Sequence, residues 1–199
     1  MKSASKSMAF QYRLVTASGT FDHFHEGHKE FLNKAFELSE KVLIGITTDR
    51  FIQKRKDKQY PHLIEPFEKR KEHVSRYLKQ HGLLDRAETI ELEDVYGPTL
   101  ASDSKVEAIV VTKDSEKGAF EVNRRRQERG LLPLTIIKVD LAQTIDGRVI
   151  SSSSIRRDLS LPQHLRPLLQ KPLGKLLKGT EANLKTAVMA AKKIVKEKK

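Results

Sequence analysis

The chain has no cysteine among its 199 residues, so neither disulfides nor thiolate metal ligands are available, as suits a reducing compartment. No uninterrupted apolar run approaches the roughly 18 residues that a membrane span needs. The opening MKSASKSMAF also lacks the apolar centre of a secretory signal. A soluble, cytoplasmic protein without a membrane partner is expected. Stacking aromatics do not interleave the lysines of the C-terminal stretch, as nucleic-acid grooves often require. A net charge of +12 would by itself suggest nucleic acid, but +8 of it lies in residues 160–199 and only +4 in everything before them. The folded part is mildly cationic, which suits small anions, and nucleic acid is not expected as a partner.

Apolar residues make up 38% of the chain and charged residues 32%, enough for one globular domain with a modest appendage. YRLVTAS (12–18), KVLIGITT (41–48), AETIEL (87–92), EAIVVT (107–112) and LTIIKVD (134–140) are short apolar runs that read as strands. Helical spacing recurs between them. Phe31, Leu32, Ala35, Phe36 and Leu38 mark a helix over 26–40, IEPFEKRKEHVSRYLKQHG has Pro66 near its start and Gly82 after its end, and AFEVNRRRQERG continues the pattern. Strands apolar on both faces and separated by helices predict an α/β domain, a doubly wound, Rossmann-like parallel sheet of about five strands with helices on both faces. Residues 1–11 read as a flexible tail, 12–160 as the domain, and 161–199 as a helical, Lys-rich extension with Leu184, Val188, Ala191 and Val195 on one stripe.

The first strand runs into SGTFDHFHEGH (18–28). In a doubly wound sheet, ligands bind beyond the carboxyl ends of the strands, and a helix starting near Glu26 would offer unpaired N–H groups and the positive end of its dipole there. His25 and His28, three residues apart, would share one side of that first turn. Gly19 would ease the exit from the strand and Gly27 would let a phosphate or base approach the backbone. Zinc is a poor fit, because HEGH spaces its histidines at i and i+3 with no thiolate or third ligand nearby. No resident metal is expected.

Gly19, Thr20, Phe21, Asp22, His25, Gly27 and His28 resemble the G-T-F-D-x-x-H-x-G-H signature of the nucleotidyltransferase superfamily. Ile150, Ser151, Ser152, Ser153, Ser154, Ile155 and Arg156 resemble its second signature, I-S-S-T-x-I-R, with serine in place of threonine. HLIEPFEKRKEHV (62–74), DVYGPTLASDSKVEAIVVTKDS (94–115) and GAFEVNRRRQERGLLPLTIIKV (118–139) look like the corresponding parts of the phosphopantetheine adenylyltransferase family of archaeal and eukaryotic type. That resemblance spans about Tyr12 to Leu159. It implies adenylyl transfer from ATP, with Mg2+, to 4'-phosphopantetheine, giving dephospho-coenzyme A and pyrophosphate in coenzyme A synthesis. The alternatives are another phosphate acceptor, such as FMN or nicotinamide mononucleotide, or a non-catalytic nucleic-acid-binding module.

The resemblance also implies roles. His28, with His25 beside it, would hydrogen-bond the reacting phosphates. Gly19, Thr20, Phe21, Asn123, Ser151, Ser152, Ser153 and Arg156 would bind ATP, Arg156 reaching the β or γ phosphate. Thr20, Asp22, Tyr96 and a lysine would bind the acceptor; Lys54, Lys56 and Lys58 all stand after the second strand, and register favours Lys54. Ser151–Ser154 could equally form a simple helix cap, and Arg124, Arg125, Arg126 and Arg129 a solvated helix face. His23 has no motif role. LPQHLRPLLQKPLGKLLKG (161–179) looks similar to the opening of the archaeal GTP-dependent dephospho-CoA kinase family, which implies fusion or association with such an enzyme but no kinase activity in this chain.

Overall fold

The computed structural model describes residues 10–55, 57–140 and 150–163. The elements in chain order are β1 (Tyr12–Gly19), α1 (Glu26–Leu38), β2 (Ser39–Thr47), α2 (Asp49–Lys54), α3 (Phe67–Gln80), β3 (Ala87–Leu92), β4 (Ala108–Val111), α4 (Glu116–Glu128), β5 (Thr135–Lys138) and α5 (Ser152–Ser160). The strands form one parallel sheet in the order β3-β2-β1-β4-β5. The chain winds outward from β1 to β3, then returns to the other side of β1. Strand order therefore reverses between β1 and β4, and a crevice opens at their carboxyl ends.

Alternation along the strands sorts side chains between two cores. Val15 and Ala17 of β1 with Val42, Ile44 and Ile46 of β2 pack against Phe31, Leu32, Ala35 and Phe36 of α1 and Val74, Tyr77 and Leu78 of α3. Leu43, with Val106, Leu134 and Val122 of α4, builds the smaller core on the opposite face, bordered by Leu14, Ile90 and Ile109. Helices thus cover both faces. Gly45 of β2 is required by this packing, because a Cβ there would lie 2.5 Å from both Leu92 Cδ1 and Ser18 Oγ.

Two boundaries depart from the sequence expectation. α1 stops at Leu38 because Ser39 turns its hydroxyl back onto the Ala35 carbonyl at 2.8 Å and begins β2. DRFIQK, which is not among the segments that read as strand or helix, is the short α2, capped where the Thr48 hydroxyl accepts the Phe51 N–H at 3.2 Å. Six residues are too few for periodicity to register.

The chain divides into two compact units, Met1–Arg157 and Asp158–Lys199. Of the second, residues 158–163 are described; they complete α5, after which the Leu161 N–H meets the Asp158 carbonyl at 3.3 Å. The apolar stripe from Leu184 to Val195 lies outside the described residues.

Candidate active site

The segment between β1 and α1 leaves the sheet by an unusual route. The left-handed positions fall on Phe21 (φ 52°) and His23 (φ 46°), and Gly19 has no such angle. A non-glycine residue there costs on the order of 1–3 kcal/mol and persists only when its surroundings hold it. They do so here. The Phe21 ring is fully buried, and the intervening Asp22, also fully buried, accepts the Glu65 N–H at Oδ1 (2.9 Å) and the Arg156 guanidinium at Oδ2. The His23 N–H reaches Glu65 Oε2 at 2.8 Å, and its Nε2 lies 2.9 Å from the Leu63 carbonyl. His23 is a structural tie.

The same network brings the two signatures together. Ser152 Oγ, at the start of α5, donates to the Asp22 carbonyl at 2.8 Å and lies 3.4 Å from His25 Nε2. With its proton committed to Asp22, Ser152 receives the Nε2–H of His25. His25 Nδ1 is then the bare nitrogen, buried and without a hydrogen-bond partner among the described residues. Gly27 admits this arrangement, since a Cβ there would sit 3.2 Å from the His25 ring and 3.5 Å from the Ile150 carbonyl. The space that the sequence assigned to a ligand at Gly27 is bordered by the His25 ring and the Ile150 carbonyl.

His25 caps α1 with extended backbone (φ −132°, ψ 176°). The His28 ring stacks on it, centroids 3.9 Å apart, and packs against Phe21 and Phe24. His28 Nδ1 faces the His25 backbone N–H at 3.4 Å, which places the proton of a neutral ring on Nε2. Burial pulls the His28 pKa down to about 3, and His25 beside it acts in the same direction. Burial likewise takes His25 to about 4, partly opposed by Asp22. Both rings are therefore neutral donors.

The pH consequence follows by linkage. Each ring binds a proton with the ordinary pKa of 6.5 when unfolded but only near 3–4 when folded. Their contribution to stability is full above about pH 6.5 and is lost as pH falls toward 4. Denaturant midpoints should decline as buffers step from about pH 7 to about pH 5. An NMR titration of the folded protein in which these two rings inflect near 6.5 would contradict these environments.

The serines divide by position. Ser151 caps α5, its Oγ accepting the Ser154 N–H at 3.2 Å while Ser154 Oγ accepts the Ser151 N–H at 3.1 Å. Ser152 joins the loop as described, and the exposed Ser153 takes Arg156 Nη2 at 3.2 Å. Arg156, expected to reach a phosphate, is 2% exposed and engaged throughout: Nη1 on Asp22, Nε on the Gln59 carbonyl at 2.9 Å, Nη2 on Ser153. It is a buried strut, because Asp22 supplies the countercharge that a guanidinium needs away from water. Asp22 is spent on the same network.

Gln59, held by Arg156, adjoins Lys58, whose Nζ reaches Thr20 Oγ1 at 3.2 Å. Burial first, and then the charge of Arg55, lower the Lys58 pKa. Lys54, the lysine favoured by register, is exposed in the last turn of α2, and Lys56 lies outside the described residues. Among the described residues, the lysine brought to Thr20 is Lys58. Sequence register missed it because α2 points Lys54 outward and the chain folds back only after it.

Two expected contacts are not part of this cluster. Asn123 pairs both halves of its amide with Leu134, Nδ2 donating to the carbonyl (2.9 Å) and Oδ1 accepting the N–H (2.7 Å), at the start of β5. α4 runs back from the carboxyl edge, so Asn123 ends at the opposite end of the sheet from the Thr20 loop. It clamps β5. Tyr96 packs on the α4-side core and donates its hydroxyl to Glu121 at 3.2 Å. The arginine run also separates: Arg124 and Arg125 pair with Glu121 and Glu128 on the surface, whereas Arg126 is buried on the Thr99 and Leu132 carbonyls and Arg129 bonds the Leu100 carbonyl.

Asp22, His23 and Glu65 place ligand atoms within 4.8 Å of one another. Arg156 already neutralises Asp22, and Lys69 meets Glu65 at 2.8 Å, so the trio is an internal network and a poor cation cage.

Among the described residues, the donors that this network leaves over are the α1 N-terminus, the His28 Nε2–H, Thr20 and Lys58, a set suited to polyphosphate. Residues 16–158 match the cytidylyltransferase-like family. The chain is 42% identical over 149 residues to the phosphopantetheine adenylyltransferase of Methanopyrus kandleri, covering 75% of this chain and 92% of that protein. It is 40% identical to that of Pyrococcus furiosus, covering 78% and 94%. A solved protein of unknown function from Archaeoglobus fulgidus superposes with a TM-score of 0.56 at 32% identity, over 69% of this chain and 98% of that one. The bifunctional NMN adenylyltransferase/ADP ribose pyrophosphatase from Francisella tularensis, solved with AMP and a manganese ion, superposes at 0.50 and 20% identity, over 75% of this chain and 42% of that one, a likeness of fold alone. Two signatures joined at one crevice, with relatives matched over nearly their full length, place this chain in the cytidylyltransferase-like family, among the phosphopantetheine adenylyltransferases.

Proposed function

We propose that the chain transfers the adenylyl group of ATP to 4'-phosphopantetheine in coenzyme A synthesis. A phosphate oxygen of the acceptor attacks the α-phosphorus, a new P–O bond forms, and the bond to the β-phosphate oxygen breaks, so that pyrophosphate leaves with the electron pair. No proton need be removed from a phosphate oxyanion, which leaves the protein to position reactants and neutralise charge. The observation that carries this reading is the meeting of Ser152 with His25 and Asp22 at the N-terminus of α1.

In this reading His28 Nε2–H donates to the α-phosphate as charge builds there, and the N–H groups of the first turn of α1 support it. Thr20 and Lys58 take the acceptor phosphate, while Ser152, His25, Asp22 and Arg156 hold the loop in shape. Mg2+ would come with ATP and would supply charge neutralisation of the phosphates, and no residue of this chain is assigned to hold it. Residues 161–179 lie almost wholly outside the described residues, so association with a dephospho-CoA kinase stays a separate proposal, testable by co-purification. No helix among the described residues is long and apolar enough to cross a membrane; a cytoplasmic placement is part of the proposal.

Pyrophosphate release from ATP, measured with 4'-phosphopantetheine, FMN and nicotinamide mononucleotide in turn, tests the function. Release with the first alone is expected; release only with another overturns the acceptor, and release with none overturns the enzyme. In the same assay Lys58→Ala should raise the KM for 4'-phosphopantetheine roughly tenfold or more, the loss of one charge-assisted contact. Lys54→Ala should leave it unchanged. The reverse outcome would reassign the lysine.

A further inference from the structure

Arg70, on the first turn of α3, is fully buried and the largest such side chain among the described residues. Its guanidinium gathers three segments at the carboxyl edge of the sheet. Nη1 donates to the Thr20 carbonyl at 2.7 Å, Nε to the Glu65 carbonyl at 2.8 Å and Nη2 to Asp49 Oδ1 at 2.8 Å, while Phe67 lies against its face at 5.6 Å. Asp49, half exposed, also accepts the Phe67 N–H at 3.0 Å. A buried cation with one half-exposed counterion is a costly way to fill a core, and an apolar side chain of similar size is often no worse for stability.

An apolar side chain cannot, however, hold the Thr20 carbonyl. The Thr20–Phe21 peptide is trans and planar, so its C=O and N–H point in opposite directions. With the carbonyl drawn onto Arg70, the Phe21 N–H is turned away from α3. The peptide leads into the left-handed Phe21, a conformation that relaxes unless held from outside. On its other side Thr20 carries the hydroxyl that meets Lys58.

We propose that Arg70 is a positioning residue of the phosphate cradle: by fixing the Thr20 carbonyl it aims the Phe21 N–H and the Thr20 hydroxyl at the reacting phosphates. This rests on the nucleotidyltransferase reading above. Arg70 touches no substrate itself. It acts through one peptide plane, with Asp49 and Glu65 fixing its guanidinium.

The test compares Arg70→Lys, Arg70→Ala and Asp49→Ala in the full chain. Lysine keeps the charge but has no planar fork to span three acceptors, so turnover should fall roughly 100-fold, the scale of a misplaced contact, with KM for 4'-phosphopantetheine changed far less. Turnover of Arg70→Ala should rise on adding guanidinium ion and not on adding methylammonium. Asp49→Ala, which keeps Arg70 but frees Nη2, should lose turnover in the same direction and by less. Wild-type turnover in folded Arg70→Lys, or guanidinium restoring the melting temperature without turnover, overturns the proposal. If the Arg70 variants do not fold, wild-type turnover in Asp49→Ala overturns it. If the wild type itself releases no pyrophosphate, the function reading fails separately; ATP affinity by calorimetry then decides, with a loss of about tenfold in Arg70→Lys expected and an unchanged affinity overturning the role.

Discussion

His28→Ala is expected to lower turnover by about 10²–10³, equivalent to about 2.7–4 kcal/mol of transition-state stabilisation, the usual loss for one preorganised donor aimed at developing charge. The effect should be large because the neighbouring imidazole does not replace the donor: the Nε2 of His25 is already given to Ser152 and its Nδ1 is bare and buried. The ring is neutral, held to a pKa of about 3 by burial, so the loss is of a hydrogen bond and not of a positive charge. Its dependence on ionic strength should accordingly be slight, unlike that of Lys58→Ala. Removing a ring that packs on Phe21, Phe24 and His25 will cost some stability, so the melting temperature must be followed beside the rate. Near-normal turnover in a folded His28→Ala protein would reject the role.

Asp22→Ala is expected to destabilise the fold itself by about 3–5 kcal/mol, because it strands the Arg156 guanidinium at 2% exposure and leaves the Glu65 N–H without its acceptor. The double variant Asp22→Ala/Arg156→Met should recover much of that loss, since apolar replacement of a buried pair is often near neutral. Denaturant unfolding of both singles and the double closes a cycle, and strong non-additivity is expected for two groups in contact. Additive losses, in protein without ATP, would mean that Arg156 is not held by Asp22 and is available to a phosphate after all. Because the same guanidinium grips the Gln59 carbonyl beside Lys58, the Arg156 variant should also weaken acceptor binding.

These two residues mark what local pattern in the sequence can place and what it cannot. His28 could be found from spacing, since a strand, a short Gly-containing segment and a helical period together imply a helix N-terminus facing a crevice. Asp22 and Arg156 were legible as members of signatures, but their partnership joins positions 134 apart in the chain. Nothing in local pattern distinguishes a guanidinium that meets a carboxylate in the core from one that meets a ligand. The Asn123–Leu134 pairing is illegible for a related reason: its place along α4 sets which end of the sheet Asn123 reaches, and that depends on where β5 starts. Arg70 stands in a segment that carries the resemblance, HLIEPFEKRKEHV, but no local pattern sets it apart from Lys69 or Lys71, because a basic helix residue is ordinarily solvated.

The sequence by itself determined the alternation of strands and helices, the parallel sheet, the position of the turn between the first strand and the first helix, and the family, since each depends on local periodicity or on contiguous signatures. Only the tertiary structure decided that Phe21 and His23, and not Gly19, take the left-handed turn, that Lys58 and not Lys54 meets Thr20, and that Arg156 and Arg70 are struts behind the cradle. Those outcomes rest on burial and on hydrogen bonds between segments far apart in the chain. A buried charge goes where an acceptor or a counterion awaits it, and that place exists only once the segments have come together.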